Sequence, residues 1–265
     1  MHFAHQNDFR DFARSVCVAF RFARTEAQAY FLDAVAATSK NRVRVLKAGS
    51  GLYRAQLGHT WRKEEIAPGE FDEFPSAHDP ERMLPAAHLV GDGRVNAKGI
   101  VCLYLATKEE TAALEVRPLI GSLVSIAYFR VKRDLRIVDC SEKLLGNLVR
   151  FTKDQWTPEE IEKQVWTDIN DAFSAPVERS DAGLTYVPTQ IIAETIRLHG
   201  YDGIAYKSGY GEDGLNVALF DLSAAELKMC GLHRVETMRI KLGMADNPYY
   251  RTDPVESAEQ QKAEQ

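Results

Sequence analysis

A short apolar strand followed at once by a short helix, within residues 96–118, constrains the fold more than any other stretch of this sequence. The apolar run from Ile100 to Ala106 follows a glycine and is typical of a buried strand. Thr107, with Glu110 three residues later, matches a capping box, and a proline ends the pattern. The sequence therefore predicts a helix of about two turns over residues 108–116.

Four polar side chains in or beside apolar segments are candidates for function. Glu115 lies near the end of an apolar helix, where a carboxylate must face solvent or take part in a site. Tyr104 lies on the buried strand, Arg54 is the lone charge in its strand, and Ser208 precedes a glycine-rich loop. Each also has an ordinary structural explanation. These explanations are a solvated helix end, a satisfied core hydroxyl, a strand-face ion pair and a turn residue, respectively.

The composition of the chain argues against several functional classes. With 265 residues, 45% of them hydrophobic and 27% charged, it resembles a globular protein of one large or two small domains. The formal net charge of -5 argues against a nucleic-acid-binding surface. No apolar run reaches the roughly 18 residues of a membrane helix. Charges near the N-terminus argue against a signal peptide, so we expect a cytoplasmic protein without membrane contact.

The spacing of cysteines and histidines argues against disulfides and metal sites. The cysteines lie far apart without a C-x-x-C pair, so we expect reduced, buried thiols at Cys17, Cys102, Cys140 and Cys230. The seven histidines show no H-E-x-x-H spacing. We therefore predict no metal site.

The beginning of the chain predicts two helices ahead of the core. Four apolar residues recur at helical spacing on one face: Phe9, Phe12, Val16 and Phe20. Thr25 with Gln28 predicts the capped start of a second helix. We interpret residues 1–45 as a helical extension packed on a core domain at 46–235. A C-terminal segment, 236–265, follows, and we expect its polar end to be disordered.

The rest of the chain predicts further strands and helices. Residues 58–95 contain four prolines and no clear periodicity, so they form either a flap over a site or a plain insertion. Residues 143–175 are expected to be helical, with Trp156 and Trp166 as core anchors. Four more elements are expected: a helix at 188–199, strands at 201–208 and 215–222, and a last helix at 223–228.

Gly209, Gly211 and Gly214 spell G-x-G-x-x-G, the pattern of a dinucleotide-binding loop. In such a loop the pattern runs from a strand into a helix, whereas here it runs into the apolar strand "LNVALF". We therefore predict a glycine-rich hairpin, whose glycines adopt positive φ.

Three segments resemble the motifs of the RES-domain family, in the family's order. The segment "GSGLYRAQLG" (49–58) is similar to its Arg motif, and "NAKGIVCLYLATKEETAALEVRP" (96–118) to its Glu motif. The segment "YVPTQIIAETIRLHGYDGIAYKSGYGEDGLNVALFDL" (186–222) is similar to its Ser motif. The resemblance covers roughly residues 45–235 and marks 46–235 as the RES domain.

The resemblance implies a fold and a set of site residues. The implied fold is α+β of the ADP-ribosyltransferase type, with a split mixed β-sheet around an NAD cleft, flanking helices and the N-terminal extension. The residues that match the family's named positions are Arg54, Glu115 and Ser208, which it marks as catalytic. The same resemblance implies substrate-binding residues at Tyr53, Arg94, Asn96, Tyr104 and Asn216.

The resemblance also implies an activity and partners, because many members of this family are toxins that consume NAD. It implies an enzyme that degrades NAD by hydrolysis or phosphorolysis, with NAD as substrate, phosphate as an alternative co-substrate and no resident cofactor. It suggests a helix-turn-helix antitoxin as the partner of a toxin–antitoxin system. We keep a homodimer open as a further assembly.

The chemistry of the bond between nicotinamide and ribose in NAD explains why one carboxylate suffices. Cleavage builds positive charge on the ribose C1′, and nicotinamide departs neutral, so no general acid is needed, unlike in O-glycoside hydrolysis. We expect Glu115 to hold the ribose hydroxyls and stabilise the cation, and Arg54 to bind pyrophosphate or ribose. Tyr104 is expected to stack on the nicotinamide ring, and Ser208 to fix a ribose or phosphate oxygen.

The nucleophile stays open at this point: water, phosphate or a protein side chain. The main alternative is therefore a mono-ADP-ribosyltransferase that modifies a protein. A catalytically inactive binding module is a third reading, which the presence of Arg54, Glu115 and Ser208 disfavours.

Overall fold

The structure is a computed structural model that describes residues 1–141, 155–176, 182–210 and 214–239. Residues Met1–Val235 form one compact unit, and Glu236–Gln265 form a second. In the second unit the described residues, 236–239, have no regular secondary structure.

An eight-stranded mixed sheet is the centre of the first unit. Its strands are β1 (Val43–Leu46), β2 (Gly51–Leu57), β5 (Leu103–Ala106), β6 (Leu123–Val131), β7 (Leu135–Asp139), β8 (Gly203–Lys207), β9 (Leu215–Leu219) and β10 (Ala225–Arg234). The order across the sheet is β1-β7-β8-β9-β5-β2-β6-β10. Strands β7 and β8 pair in parallel, and every other neighbouring pair is antiparallel. This confirms the predicted α+β class with a mixed sheet.

The sheet is nearly split between β2 and β5. These strands share a single paired position, Tyr53 with Ala106. By contrast, β2 pairs with β6 over all of Gly51–Leu57, and β5 pairs with β9 over all of Leu103–Ala106. A gap with unpaired backbone therefore opens along one side of the sheet, as predicted for a split sheet.

Strand β5 is shorter than predicted, because the chain turns before it. The backbone N–H groups of Gly99 and Ile100 donate to the carbonyls of Val90 and Ala97. Gly99 has a φ of 84°, which a residue with a side chain rarely adopts. The apolar residues 100–102 thus belong to a loop, and the strand begins at Leu103.

Six helices flank the sheet in the described part of the chain. They are α1 (Asp8–Val18), α2 (Glu26–Ser39), α3 (Glu109–Glu115), α4 (Pro158–Ser174), α5 (Ala182–Thr185) and α6 (Val187–Leu198). The predicted capping boxes of α2, from Thr25 and Gln28, and of α4, from Thr157 and Glu160, are both present. Helix α6 ends before Gly200, whose φ is 78°, as its sequence predicts.

The capping box predicted for α3 is wrong. Its N-cap is Lys108, and no side chain caps the helix. The Thr107 hydroxyl instead exchanges hydrogen bonds with the backbone of Leu215, accepting from its N–H at 3.1 Å. The Thr107 hydroxyl therefore bonds to Leu215 at the start of β9, and not to the N-terminus of the helix as the local pattern predicted.

The two N-terminal helices pack on the same core as α4 and α6. Phe12 stacks on Phe31 with ring centroids 4.4 Å apart, and the Trp166 indole N–H donates to the Thr38 hydroxyl at 3.0 Å. Trp166 is fully buried as predicted, whereas Trp156 is half-buried. Phe20 was predicted on the buried face of α1, but it follows the end of this helix and is 51% exposed.

The predicted last helix at 223–228 is wrong. Leu222–Ala224 form one 3-10 turn, which the Asp221 side chain caps by accepting from the Ser223 N–H. Strand β10 then follows, and its backbone groups are satisfied by antiparallel pairing with β6. Pairing at the sheet edge overrides the weak helical pattern.

The long segment 58–95 is partly ordered by its own hairpin. Strands β3 (Thr60–Ala67) and β4 (Glu70–Ser76) form a separate two-stranded sheet. Farther along, Met83 is fully buried in a core cluster that also contains Leu52 of β2. The part from Arg82 to Arg94 supplies lining residues to the cleft described below, so that part is more than a plain insertion.

Three predictions concern membrane spans, thiols and segments outside the described residues. No helix in the described part of the chain has the length and apolar character to cross a bilayer. All four thiols are free, with Cys102 and Cys140 buried and Cys17 and Cys230 half-buried. The first part of the predicted helix at 143–175, Gly211 and the predicted disordered tail lie wholly or mostly outside the described residues.

Candidate active site

An open cleft of about 390 Å³ lies where β2 and β5 separate. Its size is typical of a small-molecule site. Strands β2, β5, β8 and β9, helix α3 and the loop before β5 contribute its walls. The lining includes Tyr53, Arg54, Gln56, Asp92, Arg94, Tyr104, Glu115, Tyr186, Tyr206 and Asn216.

Glu115, the last residue of α3, is held by one of its two carboxylate oxygens. Its Oε1 accepts hydrogen bonds from the Ser208 hydroxyl at 2.7 Å and from the Asn216 side-chain amide at 2.6 Å. Among the described residues nothing donates to Oε2, and Glu115 lines the cleft. The carboxylate is therefore oriented from behind while one oxygen stays available to a ligand.

Two glycines let α3 and α4 approach the β8–β9 hairpin closely enough for this arrangement. A Cβ at Gly214 would lie 1.7 Å from Thr111 Oγ1 on α3, and a Cβ at Gly209 would lie 2.4 Å from the Ser174 carbonyl. Neither residue has positive φ, so the predicted reason for these two glycines is wrong. They provide space, and the motif leads into strand β9, as predicted.

Ser208 reaches Glu115 and does not reach the cleft. Its hydroxyl also contacts the backbone of Tyr210, whose N–H donates to it at 3.1 Å. Among the described residues that line the cleft, Ser208 is absent. The structure thus brings Ser208 together with Glu115, but away from the surface that a ribose would touch.

Arg54 lies on β2 and bridges the split in the sheet. Its Nη1 donates to the backbone carbonyl of Tyr104 on β5 at 3.1 Å. Its Nε is buried without a hydrogen-bond partner among the described residues. Burial lowers the pKa of the Arg54 guanidinium from its usual value. Because Arg54 also lines the cleft, its guanidinium is suited to an anionic or hydroxyl-rich ligand.

Tyr104 forms part of the cleft wall, and its hydroxyl is fully used. It donates to Asn96 Oδ1 at 2.7 Å and accepts from the Val95 N–H at 2.9 Å. Burial raises the pKa of the Tyr104 hydroxyl well above its usual value. The Tyr104 side chain is therefore fixed and neutral, and its ring lines the cleft.

Asn96 lies behind this wall. It is 3% exposed, its amide donates to the carbonyls of Gly91 and Ala97, and it does not line the cleft in the described structure. The structure therefore does not bring Asn96 to the cleft surface, and it braces the loop that carries Arg94. A ligand contact predicted for Asn96 has no support from this position.

Arg94 and Tyr53, both predicted to bind substrate, do line the cleft. The Arg94 guanidinium lies 5.6 Å from the centre of the Tyr186 ring and donates to the Ala175 carbonyl. Tyr53 contacts Tyr128 edge to face, with ring centroids 5.6 Å apart. Both side chains are thus held by neighbours at the margin of the cleft.

Several lining residues were missed by the sequence analysis. Tyr206 lies on β8, two residues before Ser208, which follows the end of this strand, and period-two alternation could have placed it on the same face. Tyr186, Gln56 and Asp92 carry no local signal. An outer chamber of about 920 Å³ adjoins the cleft, shares Arg94 with it and adds two arginines, Arg82 and Arg117.

Among the described residues there is no group of three His, Cys, Asp or Glu side chains placed to hold a metal ion. The cleft offers the oriented carboxylate of Glu115, the side chain of Asp92, a buried guanidinium and fixed tyrosines, and the outer chamber adds further arginines.

The fold and the cleft define an α+β protein with a pocket at the split of a mixed sheet. Residues 52–240 match the family model of the RES domain, and the chain belongs to this family, as its motifs predicted. A chain in the crystal structure of the M. tuberculosis MbcT–MbcA toxin–antitoxin complex aligns with a TM-score of 0.42 and 14% identity. The alignment covers 76% of this chain and 92% of that one. No curated protein sequence matches the chain.

Proposed function

We propose that this protein degrades NAD by breaking the bond between nicotinamide and ribose. One observation carries the proposal: Glu115 is held by Ser208 and Asn216 through Oε1 and keeps Oε2 open to the cleft. A fixed carboxylate facing a partly apolar pocket is the group that stabilises a developing cation best.

The reaction needs no acid and no metal to balance. The bonding pair of the N-glycosidic bond moves onto the nicotinamide nitrogen, which changes from cationic to neutral. Ribose C1′ becomes cation-like and then forms a bond with an oxygen of water or phosphate. Water gives ADP-ribose and releases a proton, whereas phosphate gives the 1-phosphorylated ADP-ribose.

The neighbours of Glu115 support roles in binding. Arg54 lines the cleft, where its guanidinium is suited to a phosphate or ribose oxygen, and the fixed Tyr104 ring offers a surface on which nicotinamide can stack. The outer chamber with Arg82, Arg94 and Arg117 is suited to the pyrophosphate, or to a free phosphate nucleophile. For Ser208 we propose a positioning role, because its hydroxyl reaches Glu115.

Product analysis tests the proposal and separates the nucleophiles. The purified protein is incubated with NAD, with and without phosphate, and the products are resolved by chromatography. We expect nicotinamide together with ADP-ribose or its phosphorylated form. Labelled protein in place of a soluble product would point to the alternative, a mono-ADP-ribosyltransferase. Intact NAD under all conditions would contradict the proposal.

The biological setting stays a prediction. Family membership suggests a toxin in a toxin–antitoxin system, a helix-turn-helix antitoxin partner and a cytoplasmic location, and a homodimer stays open. Expression of the protein alone and of Glu115→Gln separates toxicity that depends on the site from toxicity that does not. The domain limits at residues 45 and 235 stay a prediction as well.

A further inference from the structure

Tyr206 is a buried tyrosine of the cleft that the roles above leave unused. It lies on β8 opposite Asn216 of β9 and is 3% exposed. Its ring stacks on Phe173 with centroids 5.4 Å apart. Together with Glu115 and Asn216 it lines the cleft. Packing on Phe173 therefore fixes the Tyr206 ring in the wall of the cleft.

The Tyr206 hydroxyl forms no hydrogen bond with the part of the chain that the structure describes. The neighbouring Tyr104 hydroxyl, by contrast, has both a donor and an acceptor partner. The Tyr206 oxygen is not among the polar atoms sealed in the protein without a partner, so it reaches the space of the cleft. A hydroxyl that opens to the cleft and has no partner in the described protein is available to a ligand.

The state of this hydroxyl determines what it can do. Burial, followed by the negative charge of Glu115, raises the pKa of the Tyr206 hydroxyl, so it is a proton donor near neutral pH. Glu115 lines the same cleft, and its free Oε2 can accept a hydrogen bond from a ligand. A sugar hydroxyl that donates to a carboxylate still has lone pairs, which can accept from a phenol.

We propose that Tyr206 is a substrate-binding residue whose hydroxyl donates a hydrogen bond to a hydroxyl oxygen of the ribose held by Glu115. The inference rests on the proposed function, since NAD supplies the ribose. Glu115 and Tyr206 then recognise the sugar together, one as acceptor and one as donor. No catalytic step is assigned to Tyr206.

The test compares Tyr206→Phe with wild type and with Tyr201→Phe. The first variant keeps the ring stacked on Phe173 and loses only the hydroxyl. Tyr201 is also buried but does not line the cleft in the described structure, so it is a matched control. We expect Tyr206→Phe to raise the KM for NAD about tenfold with kcat changed by less than about threefold. We expect its melting temperature to stay close to that of wild type, because no hydrogen bond within the described structure is lost.

Substrates with a modified ribose identify the contact. NAD analogues that lack the 2′- or the 3′-hydroxyl of the nicotinamide ribose are compared on wild type and Tyr206→Phe. We expect the tenfold difference to vanish for one of them, because its partner oxygen is gone. An unchanged KM for NAD, a tenfold difference that persists with both analogues, or a clearly lowered melting temperature would overturn the inference.

Calorimetry separates this inference from the proposed function. If wild type binds NAD but leaves it intact, the proposed function fails, and the Kd for NAD then replaces KM in the comparison. About tenfold weaker binding by Tyr206→Phe would still support the contact, and equal binding would contradict it. If wild type does not bind NAD at all, both proposals fail.

Discussion

The replacement Glu115→Gln isolates the charge of the carboxylate from its position. Both hydrogen bonds that hold Glu115 end on Oε1, from Ser208 at 2.7 Å and from Asn216 at 2.6 Å. The amide oxygen of glutamine can accept both of them, so helix α3 and the pocket should keep their geometry. The amide nitrogen then takes the place of Oε2, and the negative charge facing the cleft is lost.

The size of the effect follows from what remains. NAD should still bind, because a ribose hydroxyl can accept from the new amide, and we expect its Kd to change less than about threefold. The missing charge matters mainly when C1′ becomes cation-like, so the loss falls on kcat. Removing one such electrostatic group typically lowers the rate about 10²–10³-fold, or roughly 3–4 kcal/mol in activation free energy.

The assay combines two measurements on the same preparation. Calorimetry gives the Kd for NAD, and chromatography gives the rate of nicotinamide release. Glu110→Gln is the matched control, since Glu110 lies on the same helix, is exposed and is absent from the cleft lining in the described structure. If Glu115→Gln releases nicotinamide within a few-fold of wild type, this carboxylate does not stabilise the transition state, and the proposed centre of the site is wrong.

Three further outcomes can be tested. Arg54→Lys should raise the KM for NAD strongly in steady-state assays, because lysine keeps the charge but loses the planar fork; near wild-type kinetics would refute this. Gly214→Ala should lower the free energy of unfolding in urea by about 1–3 kcal/mol, because its Cβ would overlap Thr111, whereas Gly91→Ala, which meets nothing within 4 Å, should change it little. Burial raises the pKa of the Cys102 thiol from 9.0 to about 11, so the folded state holds this proton more tightly than the unfolded state. The free energy of unfolding should therefore fall as the pH rises from 9 to 11, by on the order of 2–3 kcal/mol from this thiol. In urea unfolding at a series of pH values, Cys102→Ala should show a smaller decrease over this range.

The parts of the fold that sequence predicts well are those set by near neighbours. Thr25 and Thr157 each cap a helix through a residue three positions away, and both boxes form. Thr107 shows the same pattern, yet its hydroxyl bonds to Leu215, 108 residues away. The local pattern is the same at all three threonines. Whether the hydroxyl bonds to its own helix or to a distant strand depends on the tertiary structure.

The candidate site is assembled in the same non-local way. Motif resemblance marked Glu115 and Ser208 separately, but their hydrogen bond joins residues 93 positions apart. That bond, and the distance of Ser208 from the cleft surface, depend on how closely α3 approaches β8 and β9. Sequence offered no signal for this approach until Gly214 is seen against Thr111.

The split between β2 and β5 gives Arg54 two duties at once. The backbone ladder between these strands has one paired position, and the Arg54 side chain supplies a further rung by reaching the Tyr104 carbonyl. The same residue lines the cleft that a ligand would enter. One side chain thus both joins the two strands and lines the cleft, so a substitution at Arg54 would disturb the framework and the proposed ligand contact together.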